Sequence, residues 1–321
     1  MKATTKITDN TDSMIRRIFI SSINQRWSPS SSICNRLLFP AAFSRCRHLS
    51  TDTHHTECDV DAKQILKRLQ SLSSGPLCDA DKIHRSVALN SDDVDIKLSY
   101  AGIGLMCPNT MKLRNTINKN KEGGLKMIGI ARTLQMNRPN DFLSVLQALD
   151  DINSGDLLVV NTGGSTRAVA GSLFTTELSR RGAKGLIVDG PIRDVNELAC
   201  PVYSTLVSPY AGTVQHIGES IDSAPIICGK VTVTPGDIIF GDSDGVLVCS
   251  AQSFASIIHE VENIVAVEKQ LIEGMKMGVS LHKMTNFEQQ VRLRKEGKES
   301  KLEFRDDLHT IKFDAEPVHY D

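Results

Sequence analysis

Between Ala170 and Glu197 the chain runs through a helix, a strand and a charged turn in quick succession, and this order restricts it to folds in which helices cross a sheet. Ala170, Leu173, Phe174 and Leu178 fall on one face of a helix that stops near Gly182. Gly171 and Ser172 therefore stand at its N-terminus. The first amides of a helix lack intrahelical partners and carry the positive end of its dipole, so they receive a carboxylate without any cationic side chain. After Gly182-Ala183-Lys184-Gly185, the run Leu186-Ile187-Val188 reads as a short buried strand. That strand delivers Asp189-Gly190-Pro191-Ile192-Arg193-Asp194 into a loop at its C-terminal end. In open α/β sheets, ligands gather where strand ends meet helix N-termini. Arg193 offers a planar fork of donors for an oxyanion, and Asp194 offers a hard oxygen ligand to a divalent cation. The segment predicts a site for a small, doubly oxygenated anion and a metal. The competing reading of Arg193-Asp194 is a solvated or loop-bracing ion pair of slight energetic weight.

Elsewhere, Ala62 to Leu72 predicts a helix, Lys126 to Ala131 a strand, and Phe142 to Leu149 a short helix after a linker around Asn137-Arg138-Pro139-Asn140. Gly155-Asp156 and Gly236-Asp237 each turn the chain into a strand, Leu157 to Val160 and Ile238 to Phe240, and Val231 to Thr234 and Val246 to Val248 add more. Asp242-Ser243-Asp244-Gly245 lacks the later ligands of a calcium loop and reads as a hairpin turn. Gly163-Gly164-Ser165-Thr166 lacks the lysine and spacing of a phosphate-binding loop and reads as a tight turn beside the site. Phe254, Ile257, Ile258, Val261, Ile264 and Val265 form a helical apolar stripe whose next turn places Glu268 where another apolar residue is expected. An anion on a buried stripe needs a partner. Here Lys269 or Lys276 offers a helix-end salt bridge.

Gly171 followed, after twenty-one residues, by Arg193-Asp194-Val195-Asn196-Glu197 resembles the signature of the RraA-like family, which includes 4-hydroxy-4-methyl-2-oxoglutarate aldolases. Further matches lie at Ser154 to Val160, at Gly163-Gly164, at Ala183 to Gly190, and at Thr234-Pro235-Gly236-Asp237 through Asp242 to Val246. The resemblance implies a swivelling β/β/α sandwich of the RraA-like type, a single α/β core domain over about residues 60–280, assembled as a homotrimer or hexamer. It implies a magnesium- or manganese-assisted carbon–carbon lyase acting on pyruvate-like 2-oxo acids. In that scheme Gly171, Ser172, Leu173, Phe174 and Arg193 bind the small-molecule substrate, with the amides of Leu173 and Phe174 on its carboxylate and Arg193 on its keto oxygen. The metal falls to Asp194, partly through water, with Glu197. A glutamate of the terminal helix reaches the metal site of the neighbouring subunit in the resembling aldolases, and Glu268 matches it by spacing, with Glu273 and Glu262 behind it.

One departure stands out: the active aldolases carry an aspartate at the position that is Ser172 here, and it holds the water that serves as acid and base. A serine hydroxyl orients water but stores no proton near neutral pH, and loss of an acid–base group costs roughly 100-fold to 10,000-fold in rate. Aldol cleavage must deprotonate a hydroxyl; decarboxylation of oxaloacetate must not. The expectation is therefore oxaloacetate decarboxylation with weak or absent aldolase activity. Other family members bind ribonuclease E without catalysis, so a binding protein or an oligomeric pseudoenzyme scaffold is the alternative.

The 321 residues hold 40% apolar residues, enough for a substantial core once the tails are set aside. From Ser13 to Thr51 the chain carries Arg16, Arg17, Arg26, Arg36, Arg45 and Arg47, many serines and no acidic residue, the composition of an organellar transit peptide. Residues 1–50 are thus expected to direct the chain to the mitochondrial matrix, or alternatively to a plastid; a basic disordered tail is the plainer reading. They hold eight Lys/Arg against two Asp/Glu, which leaves the remainder near −7 and speaks against nucleic-acid binding. No apolar run approaches the roughly 18 residues that span a bilayer, so no membrane partner is expected. The eight cysteines are scattered without a Cys-x-x-Cys pair and read as free thiols, Cys200 as a core residue in place of a nucleophile. His216 and His259 lack metal-ligand spacing. Residues 285–321 form a charged extension, a solvated helix or tail to which no chemistry is assigned.

Overall fold

The computed structural model describes residues 61–90, 102–106, 110–114, 125–215, 224–299 and Phe304, so the expected transit segment and most of the charged extension lie outside the described residues. In chain order the elements are α1 (Ala62–Leu69), α2 (Ser74–Asn90), β1 (Gly104–Leu105), β2 (Lys112–Leu113), β3 (Met127–Gln135) and α3 (Leu143–Gln147), which runs into a 3-10 turn at Ala148–Asp151. There follow β4 (Asp156–Asn161), α4 (Ser172–Arg180), β5 (Gly185–Ile192), β6 (Val202–Val207), β7 (Ile226–Cys228), β8 (Val231–Val233), β9 (Ile238–Asp242), β10 (Gly245–Cys249), α5 (Ala251–Lys276) and α6 (Phe287–Lys295).

Eight strands form one sheet in the order β1-β10-β9-β3-β4-β5-β6-β2. The four central strands β3 to β6 are parallel, and antiparallel partners close both flanks. Parallel strands covered on both faces read as unbroken apolar runs, and Leu157 to Val160 are buried without exception. Alternation along each strand then feeds two cores. Leu158, Val160, Leu186 and Val188 pack with Phe174 and Leu178 of α4 and Val145 of α3, whereas Leu157, Val159 and Ile187 point to the opposite face with Tyr203, Ile239, Ile226 and Val233. The small β7–β8 hairpin covers that second face, so the layers are hairpin, sheet and helices. This is the expected β/β/α sandwich in a single core domain.

A third cluster joins α1, α2 and α5 over Ile128, Ile238, Phe240 and Leu247. The predicted stripe of α5 is buried from Phe254 to Ile264 and continues to Leu271. The N-cap is Ser250, whose hydroxyl accepts from the Ser253 amide at 3.1 Å. Glu268 falls between Ile264 and Leu271 on that same face, where its spacing puts it, and its side chain is exposed there in the protomer. The nine-residue α6 buries none of its side chains, in keeping with a solvated helix in the charged extension. The Ser243–Asp244 turn joins β9 to β10 as a two-residue hairpin, as its composition predicts.

Helix α2 has no counterpart among the sequence expectations, because its apolar positions are few and Gly75-Pro76 at its start resembles a loop. Its first turn is secured from far along the chain. The Asp242 carboxylate accepts the Ser74 amide at 2.8 Å and the Ser74 hydroxyl at 2.9 Å, and also takes the Asp244 amide of its own turn at 3.0 Å. A carboxylate at a helix N-terminus both satisfies an orphan donor and opposes the dipole. Strand β5 is longer than expected: residues 189–192 belong to it, and the loop starts at Arg193, with a break in register between Val188 and Pro191.

Phe254 is fully buried where α5 meets the sheet. Phe254→Ala is expected to lower unfolding free energy by about 3–5 kcal/mol, as large-to-small core changes do; urea denaturation followed by circular dichroism measures it.

Candidate functional site

The site forms where the start of α4 is laced to the end of β5. Val169 N donates to Pro191 O at 3.1 Å and Arg193 N donates to Ala170 O at 3.0 Å, a two-rung ladder that sets residues 169–171 beside 191–193. Gly171 closes the approach. A Cβ there would lie 2.5 Å from Asp194 Oδ2 and 3.0 Å from Arg193 Cγ, so this position admits no side chain without displacing both. The helix begins at Ser172, and its first intrahelical donor is the Thr175 amide bonding Gly171 O at 3.0 Å.

Three amides precede that bond. The Ser172 amide donates to Asp194 Oδ2 at 3.1 Å and the Ser172 hydroxyl donates to the same oxygen at 3.2 Å. Leu173 and Phe174 supply the other two amides of the first turn, donors that have no intrahelical partner. Asp194 itself adopts φ +55°, a left-handed conformation that non-glycine residues rarely hold outside special sites. Its carbonyl accepts the Glu197 amide at 2.9 Å, which turns the chain back after the strand. Arg193 Nε stands 3.6 Å from Asp194 Oδ2, with 43% of the Arg193 side chain and 34% of the Asp194 side chain exposed. The pair is therefore both a loop-bracing contact and an open one: its terminal guanidinium nitrogens meet no acceptor among the described residues.

A cleft of about 270 Å³ opens from Arg193 and Asp194 along Gly171, Leu173 and Phe174 to Phe142, Leu146 and Ala211, with Ala168, Val169 and Ala170 forming its floor. Sequence reasoning did not find its far wall. Phe142 and Leu146 come from the α3 region and read simply as helix residues. One signal was present in Asn140, whose left-handed φ of +66° is a tolerance characteristic of asparagine. Its Oδ1 accepts the amides of Thr166 at 2.8 Å and Arg167 at 2.9 Å, which ties the loop leading into Ala168 to the base of α3. Gly163 and Gly164 both take positive φ, and Asn161 Oδ1 accepts the Gly163 amide at 2.8 Å, the tight turn expected there.

The donor set suits a hard, hydrated cation better than a caged one. Asp194 contributes one carboxylate that borders the cleft, and Glu197 is exposed in the same turn. Among the described residues no three His, Cys, Asp or Glu side chains converge as a ready metal cage. Magnesium, which keeps several waters and uses one or two carboxylates plus ligand oxygens, fits such a site. Glu268 belongs to the helix group over β3, β9 and β10, apart from the α4–β5 junction, and within one protomer the structure does not bring it to Asp194. Its carboxyl is raised above the usual range by partial desolvation and by Asp79. The two reserve candidates are engaged elsewhere: Glu262 pairs with Arg68 at 2.6 Å and Glu273 with Lys276 at 3.0 Å. Cys200 is buried, and burial pushes its thiol up to about 12, which removes it as a nucleophile. His259 Nδ1 lies 3.3 Å from Arg68 Nη2.

The clamp on Asp194 is testable by its stereochemistry. Asp194→Asn keeps an acceptor and tolerates left-handed backbone, so unfolding free energy is expected to stay within about 0.5 kcal/mol. Asp194→Ala loses both bonds from Ser172 and places an alanine at φ +55°, with an expected loss of about 1–2 kcal/mol. Urea titration of both variants at pH 7 decides it; equal losses would mean that the clamp does not set this conformation.

Residues 77–248 match the family profile described as RraA-like, Aldolase/RraA. An uncharacterized protein of Methanocaldococcus jannaschii is 31% identical over 188 residues, 57% of this chain and 89% of that relative. A Halalkalibacterium halodurans protein provisionally named 4-hydroxy-4-methyl-2-oxoglutarate aldolase is 37% identical over 127 residues, 38% of this chain and 59% of that relative, so the match spans less than two thirds of it. Among solved structures, an uncharacterized protein from Pseudomonas syringae pv. tomato aligns with TM-score 0.51 at 20% identity, covering 69% of this chain and 96% of its own, a likeness of fold. With a profile match over more than half of its residues and the predicted layers in place, the chain belongs to the RraA-like family.

Proposed function

We propose that this chain is a divalent-metal-assisted carbon–carbon lyase for pyruvate-like 2-oxo acids, with oxaloacetate decarboxylation as its favoured reaction and little or no cleavage of 4-hydroxy-4-methyl-2-oxoglutarate. The observation that carries the reading is the Ser172–Asp194–Arg193 arrangement at the start of α4. The family match and the provisional aldolase name of the Halalkalibacterium relative support the lyase class.

The amides of Leu173 and Phe174 bind the substrate carboxylate, and the free face of the Arg193 guanidinium donates to the C2 oxygen. Asp194 and Glu197 would hold magnesium or manganese, which would supply positive charge where negative charge develops. When the C3–C4 bond breaks, its electron pair flows through C3 to the C2 oxygen and carbon dioxide leaves. Arg193 stabilises that enolate, a contribution of about 3–4 kcal/mol for one well-placed donor in comparable sites. Water then protonates C3 and pyruvate departs.

Ser172 defines what the site does poorly. Its hydroxyl spends its proton on Asp194 Oδ2, and that oxygen also takes the Ser172 amide. No group in this cluster is left to store a proton drawn from a substrate hydroxyl, which aldol cleavage requires. Part of the site depends on assembly in this reading, since Glu268 reaches the metal only from a second copy of the chain in a homotrimer or hexamer. The composition of residues 1–50 supports import into the mitochondrial matrix, with a plastid as the alternative. A fluorescent fusion of that segment is expected in mitochondria; cytosolic fluorescence would sink this part.

Pyruvate release from oxaloacetate is expected with magnesium or manganese, to stop with chelator, and to fall by about 100-fold or more in Arg193→Ala. Ser172→Asp is expected to gain cleavage of 4-hydroxy-4-methyl-2-oxoglutarate. Glu268→Gln should lose turnover if the residue crosses to a neighbouring site, and unchanged turnover would remove it from the metal set. Silence on both substrates, in Ser172→Asp as well, would favour a binding or scaffold protein.

A further inference from the structure

The cleft beyond Arg193 carries a chemical signature that oxaloacetate does not use. Its far part is built from the side chains of Phe142, Leu146, Phe174 and Ala211, while Arg193 is the one cation and Asp194 the one anion that a single protomer places along its wall among the described residues. Two of its apolar side chains stand open to water: Leu173 is 84% exposed and Leu146 is 38% exposed. Its volume of about 270 Å³ is close to the lower bound of about 300 Å³ for sites that enclose organic ligands. A second carboxylate held against this wall would lose water without gaining a partner, a costly arrangement.

We propose that the cleft selects 2-oxo acids that carry an alkyl or aryl group on C3, so that the lyase substrate is a C3-substituted oxaloacetate whose apolar substituent lies against Phe142 and Leu146. This rests on the 2-oxo acid reading of the Arg193–Asp194 site and narrows its substrate from oxaloacetate itself to homologues substituted on C3. The balance is that of any β-oxo acid decarboxylation. The bond from C3 to the departing carboxylate breaks, its electrons form the C2 enolate, carbon dioxide leaves, and a proton from water adds to C3. The product is a monocarboxylic 2-oxo acid that keeps the apolar substituent.

Calorimetric binding of the product series pyruvate, 2-oxobutanoate, 2-oxopentanoate and 2-oxohexanoate in the presence of magnesium tests the proposal apart from turnover. Each methylene that leaves water is expected to tighten binding by about fourfold, following the transfer value for a buried methylene. Leu146→Ser is expected to flatten that slope. In turnover, 3-propyl-oxaloacetate should exceed oxaloacetate in kcat/KM by about tenfold or more. Binding that does not tighten along the series overturns the proposal and assigns the apolar wall to cover by another protein surface. Decarboxylation of oxaloacetate with no alkyl preference overturns it too, while leaving the lyase reading intact. A steep binding series without decarboxylation of any member would uphold the pocket and sink the lyase chemistry.

Discussion

The two main-chain bonds between residues 169–171 and 191–193 are the constraint on which the site depends. Neither involves a side chain, so they hold whatever the ligand or protonation state. They bring the positive end of α4 against the turn that follows β5, and that proximity lets one carboxylate oxygen take two donors from Ser172. Asp194 is thereby fixed in a conformation it would not adopt freely. The geometry is preorganised by backbone, with side chains supplying only the chemistry, which is the economical way to hold a small anion at a strand end.

Asp194 also tempers the very feature that attracts anions. Its carboxylate sits on the helix start and offsets part of the dipole there, so any further anion beside it would meet a mixed field. Arg193 restores the balance on one side. A divalent cation on Asp194 would restore it on the other, which is the physical reason why a lyase of this geometry would be metal-dependent.

Much of this was legible in the sequence because strong local signals coincided with the tertiary outcome. Phe174 and Leu178 mark the buried face of α4 by their spacing, whereas Leu173, expected on that face, is 84% exposed, and the run Leu157 to Val160 marked a strand buried on both sides. Gly171 and Arg193-Asp194 were identifiable through their pattern. Failures occurred where distant partners decide. Helix α2 is capped by Asp242 across a separation of 168 residues, a bond that no local window contains. The Asp189–Ile192 segment looked like loop because Gly190-Pro191 suggests one, yet edge pairing with β6 carries the strand through it. Glu268 lies on the expected face of its helix, but whether that face is covered at this point is a tertiary matter: Ile264 and Leu271 beside it are buried and Glu268 is exposed. The apolar cleft wall was invisible for the same reason: Phe142, Phe174 and Ala211 are neighbours only in the folded chain.

The Asp242–Ser74 bonds bear on the order in which the molecule can be completed. Helices α1 and α2 precede the sheet in the chain, yet their core partners Ile238, Phe240, Leu247 and Phe254 come near its other end. A growing chain therefore holds its leading helices without a surface to bury until β9, β10 and α5 exist. The hydroxyl and amide of Ser74 then find their carboxylate, and the last layer shuts. The amino-terminal helices α1 and α2 are thus the part of this fold that waits longest for its core.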